Sequence, residues 1–523
     1  MQNHDTSGIV LDGFTRELLD ALFDPSNKTR TDSRDLIREI EDLARACKDT
    51  EHTRPIIDLF ARLKSVSETL KLSPAAFGLD PDRLTGLAVR HQAIDEHSVS
   101  VGGRVCKALP IVSEADSRVD DYLNRKTTEA PSGFELWDEI LSSRDRIQSR
   151  LNISDADWNS YSGQIKHCID SVADLAGIID LPENTIQEVT RVTKQYRMRL
   201  TPYYASLIRT GKANDPVLLQ SVPTLEMIDN SGVEIPPVAA DHSPARLIDQ
   251  FYPRTVTIKV TNMCAMYCTH CLRIAHIGKK DRIYSDVAYE EAIDYIRQNK
   301  RIRDVLITGG DAFVLPNKIL ARILAALDDI EHIRLKRLGT RIPVTAPQRI
   351  DSELLDILAE SNDKKPVRVV TQINTAQEMT PVSGHAFKQI SGHVSAVLNQ
   401  AVLLKGINDS RIKMWKLCET IQENYVRPYY IFNCSFRNPQ FSHFRVPVEI
   451  GRDIVESMYG NISGDAIPRY IATAGGKIPL HRDNVRGRDS HNLILEKPWS
   501  GEKVAYPDAD PAVYGNRTFA FQK

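Results

Sequence analysis

No stretch of this chain approaches the roughly 18 to 20 consecutive apolar residues that a membrane-spanning helix needs, so no membrane partner is expected. Charge of one sign is also lacking: 67 Lys and Arg stand against 69 Asp and Glu, a formal charge of -2. That balance supplies no global field to draw in nucleic acid or an anionic bilayer, which leaves a small molecule as the default ligand. The opening Met1-Gln2-Asn3-His4-Asp5 lacks a basic, apolar leader. Most of the eight cysteines are scattered through 523 residues, which excludes a small stapled scaffold and suits a reducing, cytoplasmic setting. The length allows several domains and a substantial core.

Three cysteines are not scattered. Cys264, Cys268 and Cys271 lie in Thr261-Asn262-Met263-Cys264-Ala265-Met266-Tyr267-Cys268-Thr269-His270-Cys271. The preceding Val256-Thr257-Ile258-Lys259-Val260 alternates as a strand does, and Thr261-Asn262 breaks it into a loop. Such a trio could be a buried stripe on a helix face, or a zinc site completed by His270. It could also be a four-iron cluster with one iron lacking a protein ligand. The strand-then-loop context counts against the stripe, and the absence of paired C-x-x-C repeats counts against zinc. The cluster reading is preferred, and because an open coordination position is where chemistry occurs, an enzyme is expected.

Residues 1–130 read as a charged helical extension, with Leu36, Ile37, Ile40, Leu43 and Ala44 at helical spacing and Cys47 near that apolar face. A second helical region, 131–245, has faces built on Phe134, Leu136, Trp137, Ile140 and Leu141, then Trp158, Tyr161, Ile165, Cys168 and Ile169. Pro182 suits a helix start and Pro202 a helix stop, bracketing a helix through Arg199. Residues 229–243 read as a connector. From 246 to 450 strand and helix alternate, with candidate strands Val256–Thr261, Asp304–Thr308, Ile333–Leu338, Val367–Ile373, Val397–Leu404 and Arg427–Phe432. Repeated βα units imply an α/β fold with a parallel sheet, and six of them a partial (β/α)6 barrel. Reactive groups should collect at the carboxyl ends of its strands. Cys264, Gly309-Gly310-Asp311, Gln372 and Cys434-Ser435 all fall there.

Taken together, several runs resemble the radical S-adenosylmethionine enzymes of the lysine 2,3-aminomutase family. They are Tyr252-Pro253, the cysteine run through Leu272-Arg273, Asp304-Val305-Leu306-Ile307-Thr308-Gly309-Gly310-Asp311, Pro347-Gln348-Arg349-Ile350, Gly406-Ile407-Asn408-Asp409 and Gly475-Gly476-Lys477. The resemblance covers roughly residues 131 to 500. It implies a radical-SAM partial barrel at 246–450, preceded by helical amino-terminal domains and followed by a cofactor-binding segment at 451–523. It also implies an isomerase moving an amino group from the α to the β carbon. Cys264, Cys268 and Cys271 would hold a [4Fe-4S] cluster whose open iron binds S-adenosylmethionine, with Thr308, Gly309, Gly310 and Asp311 at its methionine end. Lys477 would anchor pyridoxal 5'-phosphate, with Gln400 and Tyr252 in that pocket, and Arg273 would clamp the substrate carboxylate. A flavodoxin or ferredoxin would supply electrons, and the assembly would be a homo-oligomer.

The sequence also departs from that pattern. Lysine-specific members carry two aspartates where this chain has Ser435 and Thr473, and a buried ammonium left without them would cost roughly 3 to 5 kcal/mol. A substrate other than lysine is therefore expected, its side chain small and neutral or polar at a hydroxyl-lined end, or acidic if Arg437 supplies a cation there, with the loop-arginine reading of Arg437 preferred. The family's phosphate-holding arginines become Phe251 and Thr255, and the glycine run shortens to Gly475-Gly476. Ser410 replaces a zinc cysteine of some relatives, so no structural zinc is expected. The alternatives are a radical enzyme without pyridoxal phosphate, and a non-catalytic homologue binding S-adenosylmethionine or a protein partner.

Overall fold

The computed structural model describes residues 110–230, 243–277, 280–489 and 492–510, with side chains from residue 117 onward. The helices expected before residue 110, with Cys47 and Cys106, and most of the connector lie outside these residues. The chain divides into two compact units at Asp116 and Ser117, and the second holds every site discussed below.

Nine strands form one sheet in sequential order: β1 (Ile248–Tyr252), β2 (Thr255–Thr261), β3 (Asp304–Gly309), β4 (Leu335–Gly339), β5 (Val367–Thr371), β6 (Ala396–Leu403), β7 (Arg427–Asn433), β8 (Arg469–Thr473) and β9 (Lys477–Pro479). Strands β2 to β8 run parallel, while β1 and β9 close the two edges antiparallel. Each of β2 to β7 leads into a helix: α1 (Asp286–Gln298), α2 (Asn317–Asp328), α3 (Ser352–Lys364), α4 (Pro381–Ser391), α5 (Arg411–Glu423) and α6 (Val448–Glu456). This is the partial (β/α)6 barrel, since every parallel crossover has to be paid out through a helix that covers the sheet.

Period-two alternation sorts the two faces of the sheet. Ile258, Val305, Ile307, Leu338, Val369 and Val397 are buried in one core with Ala292, Leu320, Leu324, Leu354 and Leu358 of the helices. Lys259, Arg337, Gln400, Tyr430 and Phe432 alternate with them and are half-buried on the inner face. The open seam between β1 and β9 is bridged by a side chain, for the Tyr252 hydroxyl accepts a hydrogen bond from Lys477 N at 3.0 Å.

The sheet extends beyond the six expected strands, because β8 and β9 continue it past residue 450 and β1 precedes it. A second antiparallel sheet, β10 (Val485–Asp489), β11 (Asn492–Glu496) and β12 (Lys503–Pro507), joins the barrel core through Leu493, Leu495 and Tyr506. Strand β4 begins at Leu335, since Ile333 closes a turn onto Ile330. Pro202 proves to be a helix start rather than a stop. It occupies the first turn of Pro202–Ser206, where its missing N–H costs nothing, and the Thr201 side chain caps Tyr204 N. The preceding helix ends at Val192.

The helical region before the barrel has its own core of Ile140, Ile147, Ile169, Leu175, Val189, Leu200 and Tyr204. Met266 of the cysteine loop is buried in that same core, so the loop is held between helical region and sheet. No helix among the described residues is long and apolar enough to cross a membrane.

Candidate active site

Cys264, Cys268 and Cys271 line a cavity of about 300 Å³ at the carboxyl end of β2, with Met227, Met266, Tyr267 and Ile274. The loop that carries them is tied down on both sides. Tyr267 N donates to Arg199 O (3.1 Å) and Thr269 N to Gln220 O (2.9 Å), while Gly310 N donates to Thr261 O (2.6 Å) and Asp311 N to Met263 O (2.8 Å). The glycines are required by this approach: a Cβ on Gly309 would lie 2.5 Å from Thr261 O, and one on Gly310 2.2 Å from Met263 O. Strand-end glycines thus make room for the loop backbone itself.

Tyr267 fixes the centre of the loop. Its hydroxyl donates to Asp281 (2.8 Å), which also receives Arg197 (2.5 Å) and Arg199 (3.0 Å), and the Arg197 guanidinium lies 4.5 Å from the Tyr267 ring centre. Burial pushes the Asp281 carboxyl up, but the bonds from Arg197 and Tyr267 outweigh it and hold the group below the usual range.

Burial raises the Cys264 thiol well above its ordinary value, with Asp311 and the other two thiols adding to the effect, and raises Cys271 to about 12. Among the described residues no three His, Cys, Asp or Glu side chains are grouped to hold a single metal ion. The three thiols nevertheless line one cavity, and a set of three cysteine sulfurs is the donor chemistry that would fit an iron–sulfur cluster, whose positive iron would displace the thiol protons. His270 is buried and donor-poor, 3.3 Å from Asn374 Nδ2, and burial followed by the Arg341 charge lowers it to about 3.

Arg341, just past the end of β4, was not among the residues singled out from sequence. Its Nη1 lies 2.8 Å from Cys268 Sγ, and its Nη2 bonds Glu378 at 2.5 Å. Glu378 is fully buried and also accepts the Tyr204 hydroxyl (2.9 Å), Asn374 N (2.8 Å) and Thr375 N (3.2 Å). The signal that could have found it was its position, since it follows a strand end on the reactive rim.

The Thr308–Asp311 segment is placed differently from a free ligand cradle. Asp311 Oδ1 caps Phe313 N (2.9 Å) and Oδ2 accepts Arg341 N (2.6 Å), so both oxygens already serve the backbone. Burial still pushes its carboxyl up, against those bonds. Thr308 is buried, with its hydroxyl 3.5 Å from Gly310 O.

Lys477 does not line the thiol cavity. Its ammonium lies 4.8 Å from the Tyr430 ring centre and 5.6 Å from that of Phe432. Burial lowers this amine to about 8, helped by Arg337, with Asp304 opposing. Arg337 is itself bound to Asp304 through Nε (2.8 Å). Gln400 is the register partner of Tyr430, so Gln400, Tyr430 and Lys477 are neighbours on the inner face. The turn into β9 needs its glycines, because Gly475 and Gly476 have φ of 66° and 137°.

Thr473 is the partner of Lys477 across the hairpin and is exposed. Ser435 is half-buried, and its hydroxyl accepts Arg437 N at 3.2 Å. Arg273 is exposed beside the last cysteine and forms no ion pair among the described residues, and Phe251 is 60% exposed. The site thus comprises a thiol group gripped by buried polar residues and a lysine group on the barrel's inner face.

Residues 258–413 match the family model described as the radical SAM superfamily. The chain is 37% identical over 410 residues to glutamate 2,3-aminomutase of Clostridioides difficile, covering 78% of this chain and 96% of that protein. It is 36% identical to L-lysine 2,3-aminomutase of Fusobacterium nucleatum, over 66% of this chain and 81% of the relative. With L-lysine 2,3-aminomutase of Clostridium subterminale the identity is 35%, over 69% and 87%.

Proposed function

Since this chain belongs to the radical SAM 2,3-aminomutase family and is an isomerase, we propose that it moves an amino group between the α and β carbons of an amino acid other than lysine, using pyridoxal 5'-phosphate. The observation that carries the reading is Lys477, a half-buried amine lowered to about 8 and set over Tyr430 and Phe432. An amine that sheds its proton near neutrality is suited to bonding a carbonyl carbon. Pyridoxal phosphate, when bound, supplies the π-system that lets nitrogen migrate under radical attack.

In this reading Cys264, Cys268 and Cys271 hold the cluster, and the Thr308–Asp311 backbone shapes the space for S-adenosylmethionine. Gln400 and Tyr252 flank the lysine. Arg337 is the cation that Lys477 feels most strongly, and it would take the phosphate in place of arginines at 251 and 255. Arg273 reaches the substrate carboxylate as a planar fork. A one-electron donor such as flavodoxin or ferredoxin reduces the cluster.

Ser435 and Thr473 present hydroxyls and no carboxylate, so a lysine side-chain ammonium would go unpaired and a small neutral or polar side chain fits. The glutamate specificity in the name of one relative supports a family that accommodates more than lysine. The competing reading is radical chemistry without pyridoxal phosphate, favoured by Phe251 and Thr255.

Anaerobic protein given S-adenosylmethionine, dithionite and a panel of amino acids should yield a β-amino acid from a substrate other than lysine; product from lysine alone would refute the pocket assignment. Borohydride reduction followed by peptide mass spectrometry should place a pyridoxyl group on Lys477. Iron-replete protein without that adduct would favour the competing reading.

A further inference from the structure

We propose that Arg341 is a positioning residue that sets the reduction potential of the cluster, through its bond to the Cys268 sulfur and its lock on Glu378. The inference rests on the assignment of Cys268 as a cluster ligand.

Three features carry it. First, the guanidinium is directed at one ligand atom: Nη1 is 2.8 Å from Cys268 Sγ. An N–H bond to a ligating sulfur, with a positive charge behind it, stabilises the electron that the cluster accepts, and such bonds are a recognised lever on cluster potential. Second, the residue cannot drift. Nη2 bonds Glu378 (2.5 Å) and approaches Gln220 Oε1 (3.3 Å) and the Tyr204 hydroxyl (3.4 Å), while its own N donates to Asp311 (2.6 Å). Third, the burial is costly unless the charge is used. Arg341 is 9% exposed and Glu378 0%, and Arg341 Nε has no hydrogen-bond partner among the described residues. A buried ion pair of this kind is a poor source of stability compared with apolar packing. Its dipole points the positive end at the sulfur, and Glu378 limits the net charge that the sulfur feels.

The single electron comes from an external low-potential donor, dithionite in the test, and rests on the cluster. The opposing signs of Arg341 and Glu378 give opposing predictions. Wild-type protein and the variants Arg341→Gln, Arg341→Lys and Glu378→Gln would be reconstituted anaerobically without S-adenosylmethionine, assayed for iron and sulfide, and titrated potentiometrically by electron paramagnetic resonance. At the wild-type midpoint, Arg341→Gln should lower the reduced-to-oxidised ratio at least tenfold, about 59 mV for one electron. Arg341→Lys should fall between, and Glu378→Gln should raise the ratio.

Loaded Arg341→Gln and Glu378→Gln proteins within twofold of wild type overturn the proposal and leave the cluster assignment standing. Where Arg341→Gln fails to hold iron, the upward shift in Glu378→Gln decides. Loss of iron from both variants with wild type loaded makes the pair a mere support for the loop and also overturns it. Wild-type protein that takes up no iron defeats the cluster assignment, and this inference with it.

Discussion

The thiol side and the lysine side of this barrel are built to different standards. Around the cysteines, charges are buried and their positions over-determined: Arg341, Glu378, Tyr204, Asn374 and Gln220 come from distant parts of the chain and bond one another. Around Lys477 the groups are half-buried or exposed. A bond from Lys477 N to Tyr252 spans the seam, Thr473 is exposed, and the approach is a glycine turn under the half-exposed Trp499. In the proposed function one side holds a metal centre at a fixed distance from what it reduces, so rigidity would serve it. The other would admit ligands, and it commits fewer of its polar groups to itself.

The comparison is broken outright if the two sides cannot be separated. Cys268→Ala should lose the iron altogether, while Lys477→Ala should keep full iron and still cleave S-adenosylmethionine to 5'-deoxyadenosine under dithionite. Iron loss in Lys477→Ala would mean that the sides are one unit. A smaller effect lies in stability. Glu378→Ala leaves the Arg341 charge buried with its carboxylate gone, an expected loss of about 3 to 5 kcal/mol in urea unfolding. Thr473→Ala, exposed and on the lysine side, should stay within about 0.5 kcal/mol. Next come the glycines. A methyl on Gly310 meets Met263 O at 2.2 Å, a backbone atom that cannot turn aside, and roughly 3 kcal/mol is expected. The methyl of Gly476→Ala meets the Trp499 ring at 2.6 Å, which can swing away, leaving about 1 to 2 kcal/mol of φ strain. Equal losses at the two glycines would refute the contrast in rigidity.

Local pattern made one side far more legible than the other. Alternation in Val256–Val260 and the break at Thr261-Asn262 place β2 and its loop correctly, because a half-buried strand writes its period into the sequence. The edge strands do not. β1 carries Asp249 and Gln250, β9 is three residues long, and β8 ends in an exposed threonine, so none shows a clear period. The Arg341 network was illegible for another reason. Its partners lie at 204, 220, 268 and 378, and only the folded chain brings them together. The resemblance puts Asp311 at the methionine end of S-adenosylmethionine, and the structure adds that its oxygens accept Phe313 N and Arg341 N, a local use that the run Gly309-Gly310-Asp311 gives no sign of.

The finest contrast is in protons. Lys477 has a folded-state value of about 8, below the ordinary 10.5, because burial and then Arg337 disfavour its charge. Below about pH 8 the amine is protonated in both states, and the folded protein bears the cost of the buried ammonium. Between about 8 and 10.5 the folded protein has shed that proton while the unfolded chain keeps it, so the unfolded state binds more protons and stability rises with pH. One proton sets the ceiling on this rise at about 1.4 kcal/mol per pH unit. Lys477→Met keeps the apolar stem and removes the titration. The stability of wild type minus that of the variant, followed by urea unfolding from about pH 7 to about pH 9, should therefore climb with pH. Curves that stay parallel would mean that the amine keeps an ordinary proton affinity, and the lysine side would lose the property that suits it to bond a carbonyl.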